Sequence, residues 1–333
     1  MRAVKIALIT PAPPRSLNGN RTTAVRWTRF LRAAGHRVSL ATEWDGRPAD
    51  LMLALHARRS FASMRAFRDA YPARALVLAL TGTDIYRDIH DNADAALALE
   101  WATRLIVLQD RAPRELAAHL RPKVDVVYQS ARALAAPTPY RTYFEISLLA
   151  HLRAEKDPLC GAHAMQFLPA DSRVRLRHYG TVLDEALASE ARALMLEQPR
   201  YRWLGPLPHA AVRRRLARSH ALLLSSRMEG GANVASEAIA QGVVILASKI
   251  PGNVGMCGAD YEGYYTLSDA RALADLITRV EREPRFFARL REQIVARQPL
   301  VTVAAERRAL LRAIESAHAA TVSTDSVDNS VSS

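Results

Sequence analysis

The sequence predicts an α/β protein built of two doubly wound parallel sheets. Short apolar runs rich in Val, Ile and Leu alternate with amphipathic helix patterns, which is typical of parallel strands covered on both faces. The alternation is interrupted once, at 131–142, by Ala, Pro and Thr without periodicity, and then resumes. The chain has 333 residues, and a domain takes about 150, so we expect two domains.

Six apolar runs and four helix patterns make up the first predicted domain. The first helix, 21–34, is followed by Gly35, a residue type that ends helices because it adopts a left-handed backbone without steric cost. The other helices are expected at 60–70, 91–102 and 111–120. The predicted strands are 4–10, 37–42, 50–55, 75–80, 104–108 and 124–128.

The second predicted domain repeats this pattern after the linker at 131–142. Its strands are expected at 143–150, 174–179, 201–204, 221–226 and 243–248, and its helices at 158–168, 184–197, 209–217, 232–241, 268–282 and 285–297. We therefore predict domains at 1–135 and 136–302 and a C-terminal helix at 303–319 that packs back on the first domain. Residues 320–333 follow no pattern and are expected to form a disordered tail.

The excess of basic residues bears on which kind of molecule the protein binds. Lys and Arg number 46 against 33 Asp and Glu, a net charge of +13, and only four of the 46 are lysines. This excess fits either a polyanion-binding protein or the codon bias of a GC-rich genome. A nucleic-acid partner is disfavoured, because the arginines are spread along the chain and no zinc pattern, helix-turn-helix spacing or aromatic RNA-binding strand is present.

A membrane-spanning protein and a metal-binding protein are disfavoured as well. The longest segment without a charged residue, 158–170, has 13 residues, whereas a membrane-spanning helix needs about 20. Cys160 and Cys257 form neither a disulfide framework nor a metal-binding pattern. We expect a cytoplasmic protein with no membrane partner, no metal and no other cofactor.

The most informative segment is 225–242, where a buried strand, two glycines and a helix follow one another. Glycines allow close approach of the backbone to an anion, and the first N–H groups of a helix carry partial positive charge, so we expect a phosphate or diphosphate here. Glu229 and Glu237 suit sugar hydroxyls, Glu237 those of a ribose and Glu229 those of a transferred sugar. The predicted donor-binding residues are Gly230, Gly231, Ala232, Asn233, Val234 and Glu237.

Two glutamates at this spacing and in this setting resemble the Glu-x7-Glu signature of retaining GT-B glycosyltransferases of the family 4 type. The resemblance implies the GT-B fold, in which two Rossmann-like doubly wound domains face a cleft, and a metal-independent transfer. It also implies an Arg and a Lys that grip the departing diphosphate, where cations stabilise the growing charge. Lys156 matches the lysine. The family arginine falls on His151 by spacing, so either His151 or Arg153 takes its place.

Three loops of the first domain follow buried strands, and ligands of doubly wound sheets bind at such strand ends. The first loop leads into a helix with Asn20 or Thr22 as its cap and Arg21 near an N-terminus that suits an anion. In the other two, His56 or Asp84 is expected to act as a base or to orient a nucleophile, with capping as the competing role. The predicted acceptor-binding residues are Gly19, Asn20, Arg21, Thr22, Arg58, Arg59, Thr81, Gly82 and Thr83.

A closer resemblance covers about residues 4–315. Segments 18–24, 54–60, 80–88, 229–234 and 250–256 together resemble the selenosugar synthases of bacterial selenoneine biosynthesis. This resemblance implies transfer of a sugar from UDP-N-acetylglucosamine or UDP-glucose to selenophosphate, with formation of a C–Se bond. It also implies functional coupling to a selenophosphate synthetase and a selenoneine synthase.

An anionic acceptor that is already a good nucleophile needs cations rather than a carboxylate base, and arginines bind such oxyanions through bidentate contacts. Arg58 and Arg59 fit this role. The alternative that stays open is a GT-B glycosyltransferase with a conventional hydroxyl acceptor, either a small molecule or a lipid-linked sugar. The predicted catalytic residues are Glu229, Arg153, Lys156, Asp84 and His56.

Overall fold

The computed structural model describes residues 3–14, 16, 19–82, 84–135 and 139–328, and for 322–328 it describes the backbone only. The chain divides into two compact units. The first comprises residues 1–129 together with 304–333, and the second comprises residues 130–303.

The first unit contains one parallel sheet. Its strands are β1 (Lys5–Ile9), β2 (Arg37–Ala41), β3 (Leu51–Leu55), β4 (Ala75–Leu80), β5 (Arg104–Val107) and β6 (Val124–Val126). They lie in the order β2-β1-β3-β4-β5-β6. The helices between them are α1 (Gly19–Ala33), α2 (Phe61–Ala70), α3 (Ile89–Asp91) and α4 (Ala93–Trp101), with a π-helical turn at Asp84–Asp88 and 3₁₀ turns at Ala112–Glu115 and Ala118–Lys123.

The second unit contains another parallel sheet. Its strands are β7 (Phe144–Leu149), β8 (Val174–Tyr179), β9 (Tyr201–Trp203), β10 (Ala221–Leu224), β11 (Val244–Ser248) and β12 (Tyr264–Tyr265), in the order β12-β11-β10-β7-β8-β9. Its helices are α5 (Cys160–Ala164), α6 (Glu185–Glu197), α7 (His209–Arg218), α8 (Asn233–Gln241), α9 (Pro251–Cys257), α10 (Ala270–Arg282) and α11 (Pro284–Val295). 3₁₀ turns lie at Ala154–Lys156, Met165–Phe167 and Gln298–Val301.

The central strands are buried along their whole length, which explains their continuous apolar sequences. Every residue of β3, β4, β10 and β11 is buried. Helices cover both faces of parallel sheets, so no face is left for polar residues. The prediction of two doubly wound parallel sheets is confirmed.

The last helix, α12 (Val303–Asp328), belongs to the first unit. Leu310 and Ile314 join the apolar core formed by β1, β3 and α1. The fully buried Glu306 carboxylate accepts hydrogen bonds from Trp27 Nε1 at 2.8 Å and Arg26 Nε at 3.0 Å. The backbone stays helical to Asp328, beyond the tail boundary predicted at 320, and residues 329–333 lie outside the described part.

Several local predictions are corrected. The helix predicted at 158–168 is shortened to α5 and a 3₁₀ turn, and Pro169 disfavours a helical backbone at Leu168, where the turn ends. The short helix α9 was missed, although Pro251 at its first turn is a start signal. Gly35 does end α1 with a left-handed backbone, at φ +91°. Within the described residues, no helix combines the length and apolarity that crossing a membrane requires.

Each sheet has one point where the strand order reverses. In the first unit, β2 and β3 flank β1 on opposite sides, so the reversal lies between β1 and β3. In the second, β8 and β10 flank β7, so it lies between β7 and β10. The loops that leave the carboxyl ends of these strands diverge and open a crevice, which is where ligands of such sheets bind.

Candidate active site

The loops after β7 and β10 bring together two residues that the sequence singled out separately. Lys156 Nζ forms an ion pair with Glu229 Oε2. Ser226 Oγ donates a second hydrogen bond to the same carboxylate oxygen at 3.2 Å. The Lys156 and Glu229 side chains are 17% and 13% exposed, so the pair is shielded yet open at one side. A partly exposed pair of opposite charges can exchange partners when a charged ligand arrives.

The backbone behind Glu229 is held by the loop after β11. A side chain at Gly252 would place its Cβ 1.7 Å from the Glu229 carbonyl oxygen, so only glycine fits. Asn253 Nδ2 donates to the Ser248 carbonyl at 2.9 Å, and Ser248 Oγ donates to the Ser226 carbonyl at 2.6 Å. Sequence reasoning gave Asn253 no role; its position beside Gly252, at the start of a helix, was the available signal.

The segment after Glu229 has the predicted strand–Gly-Gly–helix form. Gly230 and Gly231 are buried, and α8 begins at Asn233 after an N-cap residue, Ala232, that makes no side-chain cap bond. Its first turn carries no acidic residue, so the local charge at this helix start favours an anion. Glu237, in the second turn, lies with Oε1 2.6 Å from His209 Nε2.

His151 and Arg153 differ in their availability. The Thr181 N–H donates to His151 Nδ1 at 3.1 Å. Burial, together with the charges of Arg153 and Lys156, lowers the pKa of His151 below its ordinary value of 6.5, so its ring is neutral at pH 7. Arg153 carries a permanent charge, and its buried Nε has no hydrogen-bond partner among the described residues. Arg153 is therefore the better cation of the two.

A buried histidine supports the start of the same loop. His178 on β8 lies with Nε2 2.9 Å from the Ala150 carbonyl oxygen and Nδ1 2.9 Å from the Tyr201 hydroxyl. Burial lowers the pKa of His178 to about 4, so the ring is neutral over the physiological range. The neutral ring links three neighbouring segments of the second unit without placing a charge in its core.

In the first unit, Asp84 is buried and structural. Its carboxylate is 0% exposed and accepts hydrogen bonds from the N–H groups of Thr81 at 3.0 Å, Gly82 at 2.8 Å and Ala57 at 3.2 Å. These donors tie the loop after β4 to the loop after β3. Asp84 was predicted to act as a base or to orient a nucleophile, with capping as the competing role, and these three hydrogen bonds are those of a cap.

His56 is likewise enclosed. It is 4% exposed, and its backbone is left-handed at φ +75°. Its ring lies 4.0 Å from Asp84 Oδ2 and 3.7 Å from Asp88 Oδ2. Burial is the largest effect on its pKa, which is lowered despite both aspartates. The Arg59 N–H donates to His56 Nδ1 at 3.4 Å, and the buried Nε2 has no hydrogen-bond partner among the described residues. The role of His56 as a base stays a prediction.

Asp88 organises the arginines of this region. The buried carboxylate pairs with Arg58 Nε and Arg87 Nε, each at 3.2 Å, and the two guanidinium side chains are 45% and 41% exposed. Arg59 is exposed as well. Sequence reasoning missed Asp88, although an aspartate four residues after Asp84 on a helical turn shares its face. The arrangement presents cations on the surface and keeps their carboxylate inside.

The start of α1 differs from its prediction. The helix begins at Gly19, so Asn20 and Thr22 lie inside its first turn and neither is the cap that the sequence suggested. Thr23 Oγ1 donates to the Gly19 carbonyl at 2.9 Å and accepts from the buried Gln129. Arg21 is half-buried and Thr22 exposed. Thr83, predicted to bind the acceptor, lies outside the described residues.

Within the described part of the chain, no group of three or more His, Cys, Asp or Glu side chains is placed to hold a metal ion.

Comparisons with known proteins agree with this architecture. The family model of glycosyl transferases group 1 matches residues 139–297. No curated protein sequence matches the chain. HepE of Anabaena, solved with UDP and glucose, superposes with a TM-score of 0.76 at 14% identity, over 94% of this chain and 100% of its own. A sucrose-phosphate synthase from Thermosynechococcus elongatus gives 0.75 at 17% identity, over 95% and 99%.

A third structure, a glycosyltransferase from Rickettsia africae, gives a TM-score of 0.69 at 11% identity, over 94% of this chain and 98% of its own. Identities this low establish the fold, while the family match covers the unit that carries Lys156 and Glu229. Residues 139–297 are therefore similar to the glycosyl transferases group 1 family, and the chain has the GT-B fold.

Proposed function

We propose that the protein transfers a sugar from a UDP-sugar, UDP-glucose or UDP-N-acetylglucosamine, to selenophosphate. The observation that carries the donor half is the Lys156–Glu229 pair at the strand-order reversal of the unit that the group 1 model matches. A UDP-sugar places a diphosphate and a hexose side by side, and an adjacent ammonium and carboxylate offer one partner for each. HepE, which has the same fold, has been solved with UDP and with UDP-glucose.

The donor roles follow from charge and position. Lys156 and Arg153 neutralise the diphosphate as the anomeric C–O bond breaks, with the N–H groups of 230–234 beside them. Glu229 accepts hydrogen bonds from the sugar hydroxyls, and Glu237 accepts those of the ribose. His151, neutral and already bonded to Thr181, shapes the loop. No metal ion is required for this arrangement, because the leaving-group charge meets two side-chain cations.

The acceptor is assigned to the first unit. Asp88 holds Arg58 and Arg87 with exposed guanidinium groups, which suit a small oxyanion. A hydroxyl acceptor needs a base, and the two candidates, the carboxylate of Asp84 and the ring of His56, are both enclosed. Selenophosphate needs none. Its selenium attacks the anomeric carbon, the C–Se bond forms as the C–O bond to UDP breaks, and UDP leaves with the electron pair.

One assay tests both halves. The protein is mixed with UDP-glucose or UDP-N-acetylglucosamine and enzymatically generated selenophosphate, and UDP release and a selenium-containing sugar are followed by mass spectrometry. Lys156→Met should abolish product, while Lys249→Met, at an exposed lysine of the same unit, should not. UDP release without selenium in the product contradicts the acceptor and favours a hydroxyl acceptor. No UDP release from any UDP-sugar contradicts the donor.

A further inference from the structure

The residue that follows Lys156 has an unusual backbone. Asp157 lies in the left-handed region at φ +41° and ψ +53°, directly after the 3₁₀ turn Ala154–Lys156. Pro158 comes next and disfavours a right-handed helical backbone at Asp157, so the turn cannot continue. A non-glycine residue in this region costs about 1–3 kcal/mol and persists only where its surroundings hold it.

Two side chains hold Asp157, and they come from distant parts of the chain. Ser268 Oγ donates to Asp157 Oδ2 at 2.7 Å, and Arg227 Nη2 donates to Oδ1 at 3.3 Å. Ser268 is itself left-handed, at φ +60°. Of the three described non-glycine residues with positive φ, two are therefore bonded to each other here. We call Asp157, Ser268 and Arg227 the Asp157 clasp.

The clasp is continuous with the main-chain contacts of Lys156. The Arg227 N–H donates to the Glu155 carbonyl at 2.9 Å, and Ser225 Oγ donates to the Lys156 carbonyl at 2.9 Å. The loop after β7 is thus fastened to the loop after β10 on both sides of the Lys156 backbone. Arg227 contributes to both fastenings, one through its main chain and one through its side chain.

The three clasp residues line a surface cavity of about 470 Å³. The Asp157 N–H donates to the Ala154 carbonyl at 3.1 Å, which closes the turn but does not reach the rest of the clasp. The two hydrogen bonds to its carboxylate are therefore the contacts that tie Asp157 to Arg227 and Ser268. Loss of the clasp should therefore free the segment around Lys156 while leaving the sheet beneath it intact.

We propose that Asp157 is a positioning residue that sets the Lys156 ammonium against Glu229, and so toward the departing diphosphate. The effect of Asp157 on turnover rests on the proposed function. Its effect on the position of Lys156 does not. A clasp that acts through Lys156 affects stabilisation of leaving-group charge, which appears in kcat more than in KM.

The four lysines of the chain make Lys156 directly observable. Reductive ¹³C-methylation keeps the positive charge and gives one NMR signal for each lysine, and loss of a signal in Lys156→Arg assigns it. The comparison is between the wild type, Asp157→Gly, Asp157→Asn and Ser268→Ala. Glycine accepts the left-handed backbone without strain but has no carboxylate, whereas asparagine tolerates that backbone and can still accept from Ser268.

In the wild type and in Asp157→Asn, we expect the Lys156 signal to be displaced from that of the exposed Lys249. In Asp157→Gly the Lys156 signal should move to the chemical shift of the exposed Lys249. In Ser268→Ala it should lie between that shift and the wild-type shift. Unchanged signals from the other three lysines show that each variant is folded. A Lys156 signal in Asp157→Gly identical to the wild type overturns the proposal.

The kinetic arm measures UDP release from both UDP-glucose and UDP-N-acetylglucosamine, with selenophosphate as the acceptor, and uses the donor that the wild type turns over. Asp157→Gly should lower kcat about tenfold or more with donor KM within about threefold, and Asp157→Asn should restore most of kcat. Equal kcat in the wild type and Asp157→Gly overturns the positioning role. If the wild type releases no UDP, the proposed function fails, while the NMR comparison still decides whether the clasp places Lys156.

Discussion

The two units of this protein use carboxylates in opposite ways. In the second unit, Glu229 follows β10 with a partly exposed carboxylate whose partner is the side chain of Lys156. In the first, Asp84 follows β4 and Asp88 lies one helical turn on, both buried. Asp84 binds main-chain N–H groups, and Asp88 binds Arg58 and Arg87.

The difference shows that the position of an acidic residue after a strand does not fix its role. A buried carboxylate can order a loop, as Asp84 does, or direct cations outward, as Asp88 does, while a partly exposed one paired to a lysine can turn to a ligand. The first unit therefore presents guanidinium groups at its surface, and the second presents a carboxylate beside an ammonium. Four changes probe this contrast, from the largest expected effect to the smallest.

Asp84→Ala should lower the free energy of unfolding by about 3–5 kcal/mol, because it removes a buried charge that satisfies three N–H groups. Urea denaturation of the purified protein measures it. Asp69→Ala, at an exposed aspartate of α2, is the matched control and should change stability by less than about 0.5 kcal/mol. Equal stabilities of the two variants would mean that Asp84 does not hold the loops.

Glu229→Gln should lower kcat about 10²–10³-fold and leave UDP affinity nearly unchanged, because it removes charge where the sugar reacts and not where the nucleotide binds. Turnover of UDP-sugar gives kcat, and titration calorimetry gives the Kd of UDP. Normal turnover would show that Glu229, like Asp84, is structural, and the contrast between the two units would disappear.

His178 supports the loop of the second unit as Asp84 supports that of the first, and its contribution depends on pH. Its pKa is about 4 in the folded protein against an ordinary value of 6.5, so the unfolded chain takes up the proton first as pH falls. Stability is thus kept above pH 6.5 and lost from there down to about pH 4, by about 3 kcal/mol.

His178→Gln does not titrate and should lose correspondingly less stability over the same range. The decisive quantity is the difference between wild type and variant in urea unfolding free energy, since other buried histidines affect both proteins alike. If the unfolding free energies of the two proteins changed in parallel with pH, His178 would not contribute to the loss of stability at low pH.

Arg58→Ala should raise the acceptor concentration needed for half-maximal rate about tenfold, with donor KM unchanged, because it removes one exposed guanidinium from the set held by Asp88. Arg65→Ala, at an exposed arginine of α2, should leave both parameters as in the wild type. Weakened UDP binding in Arg58→Ala would instead place this arginine with the donor.

Much of the fold was predictable, since it depends on local patterns. Continuous apolar runs alternating with amphipathic helices predicted both parallel sheets, and the strand–Gly-Gly–helix segment predicted the setting of Glu229. Less of the site was predictable. Asp84 and Glu229 look alike in sequence, each acidic and shortly after a buried strand, and Asp157 carries no mark that distinguishes it from any aspartate before a proline.

The sequence by itself determined the two-sheet architecture, the place of the Gly-Gly turn that leads into α8 and the residue types at the strand ends, because periodicity and glycine placement act over short distances. Only the tertiary structure decided which charged groups are enclosed and which are partly exposed. The donors that enclose Asp84 come from two loops, Ala57 and Thr81. Ser268 meets Asp157 across 111 positions of the chain. Burial and hydrogen-bond partners arise from such long-range contacts, and they set whether a carboxylate is a support or a reactive group.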